Sequence, residues 1–245
     1  MRNILILITA AVLFAGCNGE KKKTTAEKKP ETEVKDTKTD EPKKDNVSNM
    51  TISGDLGEID QAMVQKKFDE SKDEVQKCIT DGIGSDTYVG GNMDFTFRIN
   101  LDGTVKKLDF SSTVGHRGIE KCVYKFAHKL KFVKPKGGEG KVAYPFAFDP
   151  AREIKKTWTE GNLGKAWVKI RKAMMKCSDG TDDAPSTFSV VFYVLPDSEI
   201  GYSGVSSGKK LVSDKFYNCI KASLKKAKLP DPMGTVAKVS VSIQP

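Results

Sequence analysis

The residues with the greatest potential for chemistry are five cysteines and two histidines. Thiolates and imidazoles are the usual ligands of zinc, and a thiol beside an imidazole can act as a nucleophile. A zinc site would need His116 and His128 together with Cys78 and Cys122, but no CxxC or HxxxH spacing supports one. His116 follows a glycine and His128 lies among lysines, which favours surface imidazoles. We therefore expect no metal site and no cofactor.

Two glycine-containing segments are close to catalytic motifs but depart from them. The segment 204–210, GVSSGKK, has three residues between its glycines where a P-loop needs four, and lysine where Ser or Thr would bind Mg²⁺. The segment 201–204, GYSG, misses the GxSxG nucleophile elbow, and no histidine follows it to act as a base. The sequence therefore predicts a protein that is not an enzyme.

The fifth cysteine, Cys17, ends an apolar run that starts at Ile4. This run is too short to span a bilayer and is typical of a secretory signal, so residues 1–16 are predicted to be a signal peptide. The tetrapeptide FAGC at 14–17 resembles the lipobox of bacterial lipoproteins, with Phe14 in place of the usual Leu. This resemblance implies that Cys17 is acylated and becomes the first mature residue. Asn18 after it implies anchoring in the outer membrane, facing the periplasm.

The next segment is rich in Lys, Glu, Thr, Asp and Pro and has few large apolar residues. Such a composition cannot form a core, so residues 17–53 are predicted to be the lipidated cysteine and a disordered linker. The formal net charge of the chain is +9. Because the linker mixes both signs and the other lysines lie on amphipathic helices, we expect solvated surfaces and no binding to nucleic acid.

The remaining residues contain an internal repeat. The order helix, strand, strand, helix, strand occurs twice, and its cysteines recur about a hundred residues apart. The predicted elements of the first unit are a helix over 58–80, strands over 95–101 and 105–112, a helix over 118–131 and a strand over 142–148. Those of the second unit are a helix over 163–177, strands over 188–195 and 200–205, a helix over 211–224 and a strand over 239–243. The sequence predicts an α+β fold with two tandem αββαβ domains, 54–150 and 151–245, each a small antiparallel sheet packed by two helices.

Each unit has one cysteine in its first helix and one in its second. Small exported domains favour disulfides, and four cysteines allow three pairings. Repetition favours Cys78 with Cys122 and Cys177 with Cys219, since a pair between units would have to arise after duplication.

Several segments of the first unit also match a known family. They are Gly57–Ile59, the Cys78 helix, Phe95–Ile99, Asp102–Val105, Ser111–Ser112, Glu120–Val123, Phe132–Pro135 and Tyr144–Phe148. Together they resemble the AgmX/PglI C-terminal domain over residues 54–149, and the second unit is interpreted as a diverged copy. That family is similar to the C-terminal domain of TonB-type periplasmic proteins, whose helices pack on one face of a small sheet. The resemblance implies a periplasmic interaction module in a group linked to gliding motility and envelope complexes.

Two functions follow from this reading. The first is an adaptor whose open sheet edge, with Lys141, Val142, Ala143 and Tyr144, accepts an extended segment of a periplasmic or outer-membrane protein. The second is a lipoprotein that binds a carbohydrate or lipid, such as peptidoglycan or lipopolysaccharide. For that second function the candidate stacking residues are Trp158, Trp167, Tyr193 and Tyr202.

Overall fold

The computed structural model of the chain describes residues 51–52, 57–84, 88–181 and 183–244. These residues belong to one compact unit with two halves, each of which has a four-stranded sheet and helices. The predicted α+β fold class is confirmed at this level. The predicted signal peptide, Cys17 and nearly all of the charged linker lie outside the described residues.

The first half has strands and helices in the following order. They are β1 (Thr51–Ile52), α1 (Gln61–Glu70), α2 (Lys72–Ile83), β2 (Gly91–Ile99), β3 (Val105–Ser112), α3 (Arg117–His128) and β4 (Gly140–Phe148). The sheet order is β1-β4-β2-β3, and all neighbouring strands are antiparallel. The β2–β3 hairpin turns at Asp102 and Gly103, where φ of Gly103 is 87°, a value that residues with a side chain rarely adopt.

The predicted single helix over 58–80 is wrong, because the structure divides this segment into α1 and α2. The N-cap of α1 is Asp60, whose carboxylate accepts a hydrogen bond from the first turn. The helix ends at Ser71, whose N–H donates to the Phe68 carbonyl and whose Oγ donates to the Lys67 carbonyl at 2.7 Å. A serine that bonds back to the preceding turn is known to bend helices, and here the backbone restarts as α2.

The second half repeats the layout of the first. Its elements are β5 (Lys156–Trp158), α4 (Glu160–Leu163), α5 (Lys165–Asp179), β6 (Phe188–Val194), β7 (Ile200–Ser206), α6 (Asp214–Lys225) and β8 (Ala237–Ile243). The sheet order β5-β8-β6-β7 is equivalent to that of the first sheet. The short strand β5 is parallel to β8, whereas β1 is antiparallel to β4. The predicted boundary at residue 150 therefore falls between β4 and β5.

A disulfide joins the two main helices within each half. Cys78 of α2 is bonded to Cys122 of α3, and Cys177 of α5 is bonded to Cys219 of α6. The Cα atoms of the two pairs are 5.7 and 5.8 Å apart, within the usual range for a disulfide. The repetition in the sequence favours this same pairing. Each bridge holds its two helices together beside the core of its own half.

Strand β6 is buried on both faces and joins the halves. Its residues Phe188, Val190, Phe192 and Val194 face the core of the second half. Val191 and Tyr193 point the other way, and Tyr193 belongs to the core of the first half. The backbone of the first half approaches so closely that a Cβ on Gly115 would lie 2.6 Å from Val191 Cγ1. The two halves thus share a packed interface.

Candidate functional site

The inner edges of the two sheets face each other. The N–H of Phe110 in β3 donates to the Lys209 carbonyl at 3.0 Å, just after β7. The N–H of Ser112 donates to Ser206 Oγ at 3.1 Å. These N–H groups of β3 are already bonded to the second half. A strand added to β3 would therefore have to displace the second half. The outer edges, β4 and β8, are therefore the sites where an extended segment could be added.

The outer edge of β4 is partly covered by β1. Thr51 lies opposite Ala143, and Ile52 lies opposite Val142. This corrects the prediction of an open edge over Lys141, Val142, Ala143 and Tyr144, because its centre is paired with the chain itself. Among the described residues, the uncovered part of this edge begins at Tyr144 and runs to Phe148.

The helix-facing side of β4 offers little free space. The Tyr144 ring stacks on Phe68 of α1, with ring centres 3.7 Å apart and planes 12° apart. The apolar cleft beside them, which also contacts Lys72 and Phe146, has a volume of only about 30 Å³. Pro145 has no N–H to donate to an added strand. The outer edge of β4 therefore lacks a backbone donor at Pro145 and has little space for the side chains of an added strand.

The outer edge of β8 is also covered only in part. Strand β5 pairs only with Ala237, Lys238 and Val239, so among the described residues no strand pairs with the outer side of 240–243. The side chains of Ser240 and Ser242 are exposed. This part of β8 contains no proline, so every residue has an N–H.

A groove of about 800 Å³ runs between this edge and helix α5. Its lining residues are Glu160, Trp167, Val168, Arg171, Lys172, Met175, Lys176, Asp179, Ser242 and Gln244. Trp167 and Met175 pack against the second core and are half-buried, whereas the Val168 side chain is 69% exposed. Arg171 donates from Nη2 to the Gln244 carbonyl at 3.3 Å, which connects the helix to the residue after β8. The groove therefore combines apolar side chains, cations and a free backbone edge.

A second cluster of polar groups is buried where the halves meet, around Glu120 of α3. Glu120 Oε1 accepts hydrogen bonds from Ser112 Oγ at 2.8 Å and from the Gly115 N–H at 3.2 Å. Glu120 Oε2 has no hydrogen-bond partner among the described residues. Burial raises the pKa of the Glu120 carboxyl, and the hydrogen bonds from Ser112 and Gly115 oppose this only in part. The residue is 1% exposed and lies against Gly204 of β7.

Tyr193 and Lys238 complete this cluster from the second half. Tyr193 donates its hydroxyl proton to the Val114 carbonyl, 2.6 Å away, and burial raises the pKa of the phenol. Lys238 Nζ donates to the Gly90 carbonyl at 2.6 Å and lies 5.6 Å from the centre of the Tyr193 ring. Burial lowers the pKa of the Lys238 ammonium, whereas the nearby Glu120 raises it. These contacts tie the loops of the first half to the back face of the second sheet.

An ion-pair network lies beside the same junction. Arg117 donates from Nη2 to the Val212 carbonyl at 2.7 Å and to Asp214 at 2.9 Å, and its guanidinium lies 5.1 Å from the centre of the Tyr217 ring. Lys121 also donates to Asp214, at 2.5 Å. The hydrogen bond from Lys121 and then that from Arg117 lower the pKa of Asp214 to about 2. Because Asp214 is exposed, solvent weakens this pairing.

The structure corrects two other predictions. His116 is only 7% exposed rather than on the surface, because it caps α3, accepting the Ile119 N–H at 3.2 Å through Nδ1. Tyr193, one of the four candidate stacking residues, is fully buried and cannot stack on a ligand. Of the other three, Trp167 lines the α5 groove, Trp158 is half-buried in β5, and Tyr202 lies against His116 with ring centres 4.3 Å apart.

Sequence reasoning missed both the α5–β8 groove and the buried Glu120. Within the described ranges, no group of three or more His, Cys, Asp or Glu side chains is placed to hold a metal ion. The longest helix of the described part has 15 residues, and none is long and apolar enough to cross a membrane.

Comparison of the chain with known protein families, with curated proteins and with solved structures finds no match. The resemblance to the AgmX/PglI and TonB-type domains therefore stays a prediction.

Proposed function

We propose that this chain is a non-enzymatic envelope lipoprotein that acts as a periplasmic protein–protein adaptor. In this proposal Cys17 holds the chain to the outer membrane through its acyl groups, and the linker lets the folded halves reach partners. An extended segment of a partner protein adds as a strand to an outer sheet edge. The two halves are tandem TonB-like units of the AgmX/PglI type, and the partners belong to a motility or envelope complex.

One observation carries this proposal. The inner edges of the two sheets are held against each other, whereas each outer edge is covered by a strand of only two or three residues. Exposed edge strands present unpaired N–H and C=O groups, which proteins use to bind extended segments.

The alternative, a carbohydrate or lipid ligand such as peptidoglycan, has less support. It depended on aromatic side chains that stack on sugars, and Tyr193 is fully buried. A groove with a free backbone edge also fits a polypeptide better than a sugar, because a strand satisfies a row of alternating donors and acceptors.

Site-specific photocrosslinking in the native envelope tests the proposal. A benzophenone amino acid is placed at Ala147 of β4 or Ser242 of β8, both exposed at an outer edge. The matched control is Leu101, which is 61% exposed in the β2–β3 turn and belongs to neither outer edge. We expect protein adducts at position 147 or 242 and none at 101.

Mass spectrometry of the adducts identifies the partner. Adducts of equal yield at all three positions, or at Leu101 alone, would show that the outer edges are not the binding site. Adducts to glycan in place of protein would support the alternative.

A further inference from the structure

The two outer edges are not equivalent, although the two sheets have the same order. In the first half the cleft beside the edge holds about 30 Å³, because Phe68 and Tyr144 stack across it. In the second half an open groove between α5 and the edge of β8 holds about 800 Å³, whereas the cleft of the first half lies between its helices and its sheet. A strand of four residues is about 13 Å long, so residues 240–243 can pair with only a short segment. The side chains of such a segment need a groove to lie in, and the groove beside β8 provides one.

The charge of the two helical walls also differs. Helix α5 contains five basic residues and one acidic residue. Helices α1 and α2 together contain four basic and five acidic residues. Three of the α5 cations, Arg171, Lys172 and Lys176, line the groove. The acidic lining residues are Glu160, in the separate helix α4, and Asp179, the last residue of α5.

Apolar contact is available at the same place. Val168 is 69% exposed, and it lines the groove together with the half-buried Trp167 and Met175. In an added strand, alternate side chains point to the same face. Those on the helix side would meet these apolar groups and the neighbouring cations together.

We propose that the groove between α5 and the free edge of β8 binds an extended acidic segment of a partner protein. The backbone of that segment pairs with Ser240–Ile243. Its helix-facing side chains are apolar and acidic and contact Trp167, Val168, Arg171 and Lys172. This rests on the proposed adaptor function and assigns it to the second half, where the groove and its cations lie beside the free edge.

The test uses the full chain in detergent micelles and two labelled peptides of equal length, a Glu-Ser-Val-Ser repeat and a Lys-Ser-Val-Ser repeat, in which the charged residue and valine share one face of the strand. Fluorescence anisotropy measures their affinity, and hydrogen exchange with mass spectrometry measures protection of residues 240–244. We expect the acidic peptide alone to bind and to slow exchange there. Raising the salt concentration should weaken binding, because salt screens the attraction between exposed charges and shortens the Debye length, which is about 10 Å at 0.1 M.

Charge reversal gives the decisive comparison. The double variant Arg171→Glu/Lys172→Glu should lose acidic-peptide affinity by about tenfold or more, as two exposed attractions become repulsions, and should gain affinity for the lysine peptide. The control is Lys165→Glu/Lys169→Glu, which makes the same double charge reversal on α5 outside the groove lining and should alter affinity by less than about twofold. Thermal melts check that all three chains are equally folded.

Three outcomes separate this inference from the adaptor proposal. If both peptides bind equally, or if the charge-reversed chain has unchanged affinities, the groove does not prefer acidic segments and the inference is overturned. If the acidic peptide does not bind but protein adducts form at Ser242, the partner segment is not acidic, whereas the adaptor proposal stands. Absence of adducts at both Ala147 and Ser242 overturns both.

Discussion

Glu120 of α3 occupies the space that a side chain at position 204 would need. A Cβ built on Gly204 would lie 2.4 Å from Glu120 Oε1 and 2.6 Å from Oε2. Real Cβ atoms do not approach other atoms so closely, so the glycine in β7 and the glutamate in the other half are matched to each other.

The first prediction concerns this contact. Gly204→Ala should lower the free energy of unfolding by about 1–3 kcal/mol, because the added methyl group displaces the buried carboxylate. Combining it with Glu120→Ala should restore part of the loss, since the clash is removed, so the two changes are not additive. Urea unfolding of the single and double variants measures this coupling. Gly161→Ala is the control, because its Cβ would meet only Thr159 Oγ1 at 3.9 Å; additive effects at 120 and 204 would contradict the prediction.

The second prediction concerns the pH dependence of stability. Burial raises the pKa of the Glu120 carboxyl above its ordinary value of 4.5. The stabilisation linked to this shift is therefore complete below the unfolded pKa and is lost as the pH rises through the folded pKa. Glu120→Gln does not titrate and should gain stability relative to the native chain as the pH is raised from about 4 to about 8. At pH values above both the unfolded and the folded pKa, each unit of pKa shift lowers the free energy of unfolding of the native chain by about 1.4 kcal/mol.

Other charged and titratable groups near Glu120 could contribute to the profile. They are Arg117 on α3, Tyr193 on β6, Tyr217 on α6 and Lys238 on β8. Burial raises the pKa of both tyrosines, so neither ionises in this range. Unfolding curves measured at several pH values for Glu120→Gln and the native chain should diverge with pH. Parallel curves would mean that Glu120 does not carry the effect.

The third prediction concerns the Tyr193 hydroxyl. Tyr193→Phe should lower the free energy of unfolding by about 1–2 kcal/mol, because the buried Val114 carbonyl loses its donor at 2.6 Å. Tyr144→Phe is the matched control, since Tyr144 is half-buried and its hydroxyl makes no hydrogen bond among the described residues. Denaturant unfolding compares the two, and a loss of the same size in both would show that the junction bond is unimportant.

The fourth prediction concerns the disulfides. Replacing Cys177 and Cys219 by alanine should lower the free energy of unfolding by up to about 4 kcal/mol, because the bridge closes a loop between residues 42 apart. The equivalent change at Cys78 and Cys122, 44 residues apart, should cost a similar amount. Calorimetry on both variants tests this. A much larger loss for one pair would mean that loop closure is not the main contribution of that bridge.

Short-range patterns allowed much of the fold to be predicted. The alternation of Phe95, Phe97 and Ile99 marks β2 because the side chains of a strand alternate between faces. Asp102 and Gly103 mark the turn because glycine tolerates a positive φ. The division of the first helix at Ser71 could not be predicted, since Phe68 and Val75 keep the helical spacing across it. Strands β1 and β5 have too few residues to give a pattern.

The candidate site was harder to predict, because it depends on how elements pack. Trp167 has helical spacing and suggests core, whereas its place in a groove follows from the distance between α5 and β8. Glu120 sits among charged residues of an amphipathic helix, so nothing marks it as buried. Val191 and Tyr193 did give a signal, because they make β6 apolar on both faces.

The burial of β6 on both faces has a consequence for any shortened form of the protein. If the chain ended or began near residue 150, one half would be present without the other. The lone C-terminal repeat would present Val191 and Tyr193 to water on an otherwise serine-rich surface, and the lone N-terminal repeat would lose the acceptors that its strand β3 now uses. We therefore expect the two halves to fold as one cooperative unit, although each has its own sheet and its own disulfide.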